Sequence, residues 1–166
     1  VPKDWLSWRK DYWTDSSKTE WNKSVAFAPG GGYNGDKGGT YLAEGVRIWF
    51  RYPKEGYTWK KSSAIDWSND WLNGYLRNNR GFTATNDSSE SHLPNGQVSK
   101  VYQVIGRNDN ISEPEKGIII LTGSNKYRVI VELAAPLSKF PGYQVVFGYI
   151  TQSFITNEAT GHPVYN

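Results

Sequence analysis

Two segments on either side of a turn in the second half of the chain narrow the possible folds most. In residues 126–133 the odd-numbered side chains are Tyr, Val, Val and Leu, whereas the even-numbered ones include Lys, Arg and Glu. This alternation is typical of a strand with one buried face. The preceding apolar run, Ile118 to Leu121, indicates a strand buried on both faces. Since Gly123-Ser124-Asn125 separates the segments, we predict a β-hairpin within an antiparallel sheet.

Turn-rich loops separate several further segments of strand-like composition. We predict these strands at residues 25–28, 45–52, 82–85, 97–105 and 143–156. Trp67, Trp71 and Tyr75 are four residues apart, which predicts one short helix near 66–77. Asp4 is a candidate cap for a second, shorter helix at the start of the chain. The pattern favours an all-β fold, a β-sandwich or jelly roll of antiparallel sheets, as a single binding domain over residues 1–166.

Composition excludes several classes of partner. Aromatic residues make up 15% of the chain, including 8 Trp, so we expect aromatic rings in the core and some on the surface. The net charge of +3 is dispersed, so we expect no nucleic-acid binding. No apolar run approaches the ~18 residues of a membrane span, so no membrane insertion is expected. Cysteine is absent, which excludes disulfides, and Val1 at the start suggests a processed chain or an excised fragment.

Motifs for metal, cofactor or nucleophilic chemistry are missing. His92 and His162 lie in polar or terminal segments and make no zinc pattern. The glycine-rich segment 30–39 lacks Gly-Lys-Ser/Thr and precedes a strand, so a surface loop is expected rather than a phosphate site. Residues 107–116 lack the EF-hand order; a polar turn is the simpler interpretation, and another kind of calcium site stays open. We therefore expect no cofactor, no metal and no enzymatic activity.

Paired carboxylates can hydrolyse glycosides, and this leaves one enzymatic alternative. Among the acidic residues, Glu132 lies within a well-defined predicted strand, where it alternates with Lys126 and Arg128 and is expected on the solvent face. The candidate carboxylates are Asp36, Glu44, Glu132 and Glu158.

Aromatic residues interleaved with polar ones form two candidate binding surfaces. One is a face of the strand at 45–52, and the other is the helical stripe near 66–77 with the polar residues around and after it. Sugars present C–H faces and hydroxyls, which aromatic rings and polar side chains contact. Both surfaces have an alternative interpretation, because the stripe can pack on the sheet and the strand face can be covered by the N-terminal Trp segment. The predicted ligand-binding residues are Arg47, Trp49, Arg51, Trp67, Trp71, Tyr75, Asn78 and Arg80.

The C-terminal third resembles a known family. Residues 127–137 (YRVIVELAAPL) and 141–149 (PGYQVVFGY) are similar to the end of the lectin domain of Gram-negative fimbrial-tip adhesins. The resemblance implies an elongated β-sandwich that binds host glycans and is exported to the bacterial surface. Those domains commonly carry a disulfide, which this chain lacks. No binding residue is carried over, because the similar residues lie in framework strands.

These observations together predict an extracellular carbohydrate-binding domain of a lectin or adhesin, secreted or held at the cell surface. Its partner would be a glycan or glycoprotein, and it could form part of a larger surface protein or fibre. Two alternatives remain open: a receptor-binding or structural domain of a phage or virus particle, and a small β-sandwich polysaccharide hydrolase or lyase.

Overall fold

A computed structural model describes residues 3–13, 20–30, 32, 42–56, 64–78, 82–85, 89–92, 98–106, 113–123 and 127–160. These residues form eight strands and two helices. In chain order the elements are β1 (Leu6–Trp13), β2 (Glu20–Ala28), β3 (Gly45–Pro53), α1 (Ala64–Asn78), β4 (Phe82–Ala84), β5 (Ser89–His92), β6 (Val98–Gly106), β7 (Glu115–Gly123), β8 (Arg128–Pro136) and α2 (Phe140–Thr160).

The described strands form one antiparallel sheet. Their order is β1-β2-β3-β8-β7-β6-β4, and β5 pairs with β6 nearer the start of that strand. Strand β3 therefore lies beside the C-terminal strand β8, far away in sequence. The predicted fold class, antiparallel all-β with a short helix, is confirmed. The layers over the described sheet are helices, in place of a second stacked sheet.

Helices α1 and α2 cover opposite faces of the sheet, which we call the α1 face and the α2 face. Residues alternate between the faces along β8: Ile130 packs in the core under α1, whereas Val129 and Val131 pack in the core under α2. The Ile118–Leu121 run of β7 divides in the same way, with Ile119 under α1 and Ile120 under α2. The prediction that this run is buried on both faces is confirmed.

Helix α1 confirms the predicted helix near 66–77. Its spacing places Trp67 and Leu72 in the core, while Asp70 and Asn73 are exposed on the opposite side. Arg77 lies in the last turn, where a cation interacts favourably with the partial negative charge of the helix end.

The final helix corrects the sequence-based prediction of a strand at 143–156. The β-branched residues of this segment favoured a strand, but its large side chains also recur at helical spacing. Phe140, Tyr143, Phe147 and Ile150 form one stripe that packs on the α2 face. Pro141 occupies the first turn, where its missing N–H has no intrahelical partner to lose. Tertiary burial of this stripe outweighs the local strand preference.

Two shorter predictions are also wrong. The N-terminal segment forms β1, paired with β2 along eight positions, rather than a helix capped by Asp4. His92 ends strand β5 and lies opposite Val98, whereas a loop was predicted there. His162 and most of the glycine-rich segment 30–39 lie outside the described residues.

Candidate binding site beside helix α1

The structure brings the two predicted aromatic surfaces together on the α1 face. Trp49 of β3 meets Trp71 of α1 edge-on, with 5.8 Å between ring centroids and 65° between ring planes. Arg47 and Arg51 flank Trp49 on the same side of β3, because alternate strand residues share a face. The strand face and the helix stripe are therefore two sides of one cluster.

The inner part of this cluster is a buried ion pair. Arg47 donates hydrogen bonds from Nε at 2.9 Å and Nη2 at 2.6 Å to Oε2 of Glu132, which lies directly opposite on β8. The Tyr75 hydroxyl donates to Oε1 of the same carboxylate at 2.8 Å. The Arg47 and Glu132 side chains are only 5% and 2% exposed. The prediction of a solvent-facing Glu132 is wrong because α1 covers this side of the sheet.

A second carboxyl group, Glu115, is buried on the same face, where it begins β7, although the segment 107–116 was predicted to be a polar turn. Burial, followed by the charge of Glu132, raises its pKa to about 8. Burial and Glu132 also raise the pKa of the Tyr75 hydroxyl. At neutral pH Glu115 is therefore mostly protonated, whereas Glu132 is paired with the Arg47 guanidinium. Since both carboxyl groups are almost fully enclosed, they are not positioned to receive a polysaccharide.

The aromatic stripe of α1 holds the helix on the sheet. Trp67 is 4% exposed and belongs to the core. Trp71 and Tyr75 are half-buried and stacked, with 5.3 Å between centroids and 20° between planes. Tyr75 also meets Phe82 of β4 edge-on. The rings thus have the packing role that their spacing also allowed.

Outside the ion pair, a polar row crosses three neighbouring strands. Asn22 of β2 lies opposite Arg51 of β3, and Arg51 lies opposite Arg128 of β8; we call these three residues the polar row. Arg51 Nη2 pairs with Oε1 of Glu20 at 2.5 Å. The Arg128 guanidinium lies 5.1 Å from the centroid of the Trp67 ring. Burial and the neighbouring Arg51 lower the pKa of Arg128 to about 10, against the opposing charges of Glu20 and Asp70.

The exposed side of α1 carries a surface cavity of about 630 Å³, which we call the flank cavity. Among the described residues it is lined by Asp70, Asn73, Leu76 and Arg77. Arg77 Nε donates to the carbonyl oxygen of Asn73 at 3.3 Å, which orients the guanidinium along the helix. The charge of Asp70 acts on Arg128, so this carboxylate connects the flank cavity with the polar row.

The remaining predicted residues are placed only in part. Asn78 is the last residue of α1 and its side chain is not described, and Arg80 lies outside the described residues. Among the hydrolase candidates, Asp36 lies outside them and Glu158 has no described side chain. Glu44 is buried, where Oε1 accepts a hydrogen bond from Tyr143 and Oε2 one from Lys139.

Sequence reasoning did not select Glu20, Asn22 or Arg128 as site residues. The signal for Arg128 was present, because it belongs to the polar, even-numbered set of the predicted strand at 126–133. The spacing of three and four between Asp70, Asn73 and Arg77 places these side chains together on one helix face. The action of Asp70 on Arg128 depends on how α1 docks on the sheet, which no local pattern shows.

The described part of the chain contains no group of three His, Cys, Asp or Glu side chains that could hold a metal ion. Neither helix, over its described residues, combines the length and apolar character needed to cross a membrane. No protein-family model matches this chain, and no curated protein or solved structure matches it either. The resemblance to fimbrial-tip lectin domains therefore stays a prediction.

Proposed function

We propose that this domain binds carbohydrate at the exposed flank of α1. The observation that carries the proposal is the flank cavity, where a carboxylate, an amide and a guanidinium follow one another on one helix face. Such groups donate and accept hydrogen bonds and so match sugar hydroxyls. A volume of about 630 Å³ lies within the range of small-ligand pockets.

The packing beneath the cavity supports a preformed site. Trp67, Trp71 and Tyr75 fix α1 against the sheet, so the polar side chains on its outer face are presented from a rigid element. Preorganised groups lose less conformational entropy when a ligand binds. The proposal includes the extracellular location and adhesin role expected from the sequence, because cell-surface glycans would be the ligands.

The test is a glycan-array screen of the purified domain, followed by titration of the best ligand against variants. We expect Asn73→Ala and Arg77→Ala to weaken binding, whereas Arg9→Ala, which removes an exposed guanidinium on β1, leaves it unchanged. Circular dichroism and thermal unfolding would establish that each variant is folded. Glycan binding by Asn73→Ala and Arg77→Ala at wild-type affinity, or silence of the folded wild-type domain across the array, would refute the proposal.

A second candidate function is the structural or receptor-binding domain of a phage or virus particle. It is favoured by the exposed apolar side chains of α2, with Val145 66% and Tyr149 70% exposed. Exposed apolar patches often mark protein–protein contacts. The molar mass in solution separates the candidates, since a stable trimer favours the particle domain and a monomer favours the adhesin.

A further inference from the structure

The polar row places two guanidinium groups side by side on neighbouring strands. Each guanidinium carries five N–H donors. Arg51 Nη2 pairs with Glu20, and the charge of Asp70 acts on Arg128 from α1. Because Arg51 and Arg128 are direct cross-strand neighbours, their like charges repel each other. An additional negative group between them would relieve this repulsion.

Buried polar atoms in the row and beside it lack hydrogen-bond partners within the described part of the chain. Among the described residues, Arg51 Nε and Trp67 Nε1 are buried donors without a hydrogen-bond partner, and Asn22 Oδ1 is a buried acceptor without one. Asn22 is 5% exposed and Trp67 is 4% exposed. Buried polar groups are normally satisfied, so a group of unsatisfied ones indicates an absent water, ion or ligand.

The row is also reachable from outside. The Arg51 side chain is 23% exposed, and Glu20 beside it is 12% exposed. Asp70 lies on the exposed side of α1 and also lines the flank cavity. Since the charge of Asp70 also acts on Arg128, this carboxylate belongs both to the cavity lining and to the surroundings of the row.

We propose that the polar row is an anion subsite that takes the carboxylate or sulfate group of an acidic glycan. This inference rests on the proposed carbohydrate-binding function and specifies its ligand class. Arg51 and Arg128 hold the anionic group, because guanidinium forks match the geometry of such oxygens. Trp67 Nε1 donates a further hydrogen bond, and Asn22 Oδ1 accepts one from a sugar hydroxyl next to the anionic group.

Sulfate is the probe that tests the subsite without any glycan. Sodium sulfate is titrated against the ¹⁵N-labelled domain at constant ionic strength, with sodium chloride as the reference salt. We expect saturable movement of the Trp67 indole N–H resonance, assigned through Trp67→Phe. Arg51→Gln is expected to weaken sulfate binding about tenfold or more, because a charge-assisted hydrogen bond is lost. The matched control Arg9→Gln, on β1, is expected to bind sulfate as the wild type does.

The variant Glu20→Gln provides a second test of the anion subsite, which can be used if Arg51→Gln does not fold. This change removes the carboxylate that competes for Arg51, so we expect sulfate to bind several-fold more tightly. Asp4→Asn, an exposed carboxylate elsewhere, is the matched control and is expected to change nothing. Weaker or unchanged sulfate binding in the folded Glu20→Gln variant would overturn the assignment of the anion to this row.

The glycan screen distinguishes failure of the subsite from failure of the function. Preferential binding of sulfated or carboxylated glycans, with competition by sulfate, supports the inference. Two results together overturn the anion subsite: equal binding of neutral and acidic glycans, and a Trp67 indole resonance that does not shift when sulfate is added. The proposal of carbohydrate binding is unaffected by them. Sulfate binding without any glycan binding overturns the proposed carbohydrate-binding function. The same result also overturns the inference that the anionic group belongs to a glycan.

Discussion

The Arg47–Glu132 pair gives the sharpest stability prediction. Both side chains are at most 5% exposed, and two hydrogen bonds at 2.9 and 2.6 Å join them. Replacing Arg47 with Met preserves much of its volume but leaves the Glu132 carboxylate buried without its counter-ion. Removing one partner of a buried pair costs about 3–5 kcal/mol. For a domain of this length, that corresponds to a fall in melting temperature of roughly 10 °C.

The magnitude should depend on the orphaned charge rather than on lost packing. We therefore expect the triple variant Arg47→Met, Glu132→Leu, Tyr75→Phe to recover most of the loss, to within about 1 kcal/mol of the wild type. Keeping Tyr75 in the double variant leaves its hydroxyl without an acceptor, at a cost of about 1–3 kcal/mol. Arg51→Met, at a more exposed ion pair on the same strand, should cost less than Arg47→Met.

Urea unfolding followed by tryptophan fluorescence measures these differences as shifts in the transition midpoint. A stability loss below about 1 kcal/mol for Arg47→Met would show that water reaches Glu132, which would refute the enclosed pair. A triple variant as unstable as Arg47→Met alone would show that packing, and not charge, determines the loss.

Three further predictions concern the rest of the fold. Burial raises the pKa of Glu115 from the ordinary 4.5 to about 8, so between these pH values the folded state binds more protons than the unfolded state. The free energy of unfolding of the wild type should therefore fall as pH rises through this window, by at most about 1.4 kcal/mol per pH unit. Denaturant titrations at several pH values should show a smaller fall for Glu115→Gln than for the wild type. Tyr143→Phe removes the hydrogen bond to Glu44 and should cost about 1 kcal/mol in urea unfolding, whereas a neutral result would mean that water replaces the hydroxyl. Phe147→Ala empties a fully buried position against Phe140 and should cost about 3–5 kcal/mol by the same method, and a loss below about 1 kcal/mol would contradict the docking of α2 on the sheet.

The local pattern of apolar and polar residues was sufficient to predict those strands and helices that are buried on one face only or on both faces. Alternation predicted β3 and β8, the apolar run predicted β7, and the four-residue spacing of Trp67, Trp71 and Tyr75 predicted α1. The pattern gave a wrong prediction where the same residues fit both the strand period and the helix period. The segment after Pro136 is β-branched and also carries a helical stripe, and the burial of that stripe on the α2 face decides its structure.

The candidate site depends on pairings that are distant in sequence. Alternation alone placed Arg47, Trp49 and Arg51 on one face, and that placement agrees with the structure. It could not show that β3 pairs with β8, because 85 positions separate Arg47 from Glu132. When that pairing is not known, the sequence predicts Glu132 as a surface residue and does not distinguish Arg128 from the other cationic residues.

The register between β3 and β8 therefore decides the chemistry of the α1 face. It sets Arg47 against an acid and, four residues later, Arg51 against a second base. The first pairing is neutral and closed under Tyr75, so it has no capacity left for a ligand. The second brings two cations together where the face is still partly exposed, and additional negative charge is stabilised there. Strand β3 thus carries one structural arginine, Arg47, and one candidate binding arginine, Arg51. A shift of the β3–β8 register by two residues would break both the Arg47–Glu132 and the Arg51–Arg128 pairings, and both roles would be lost.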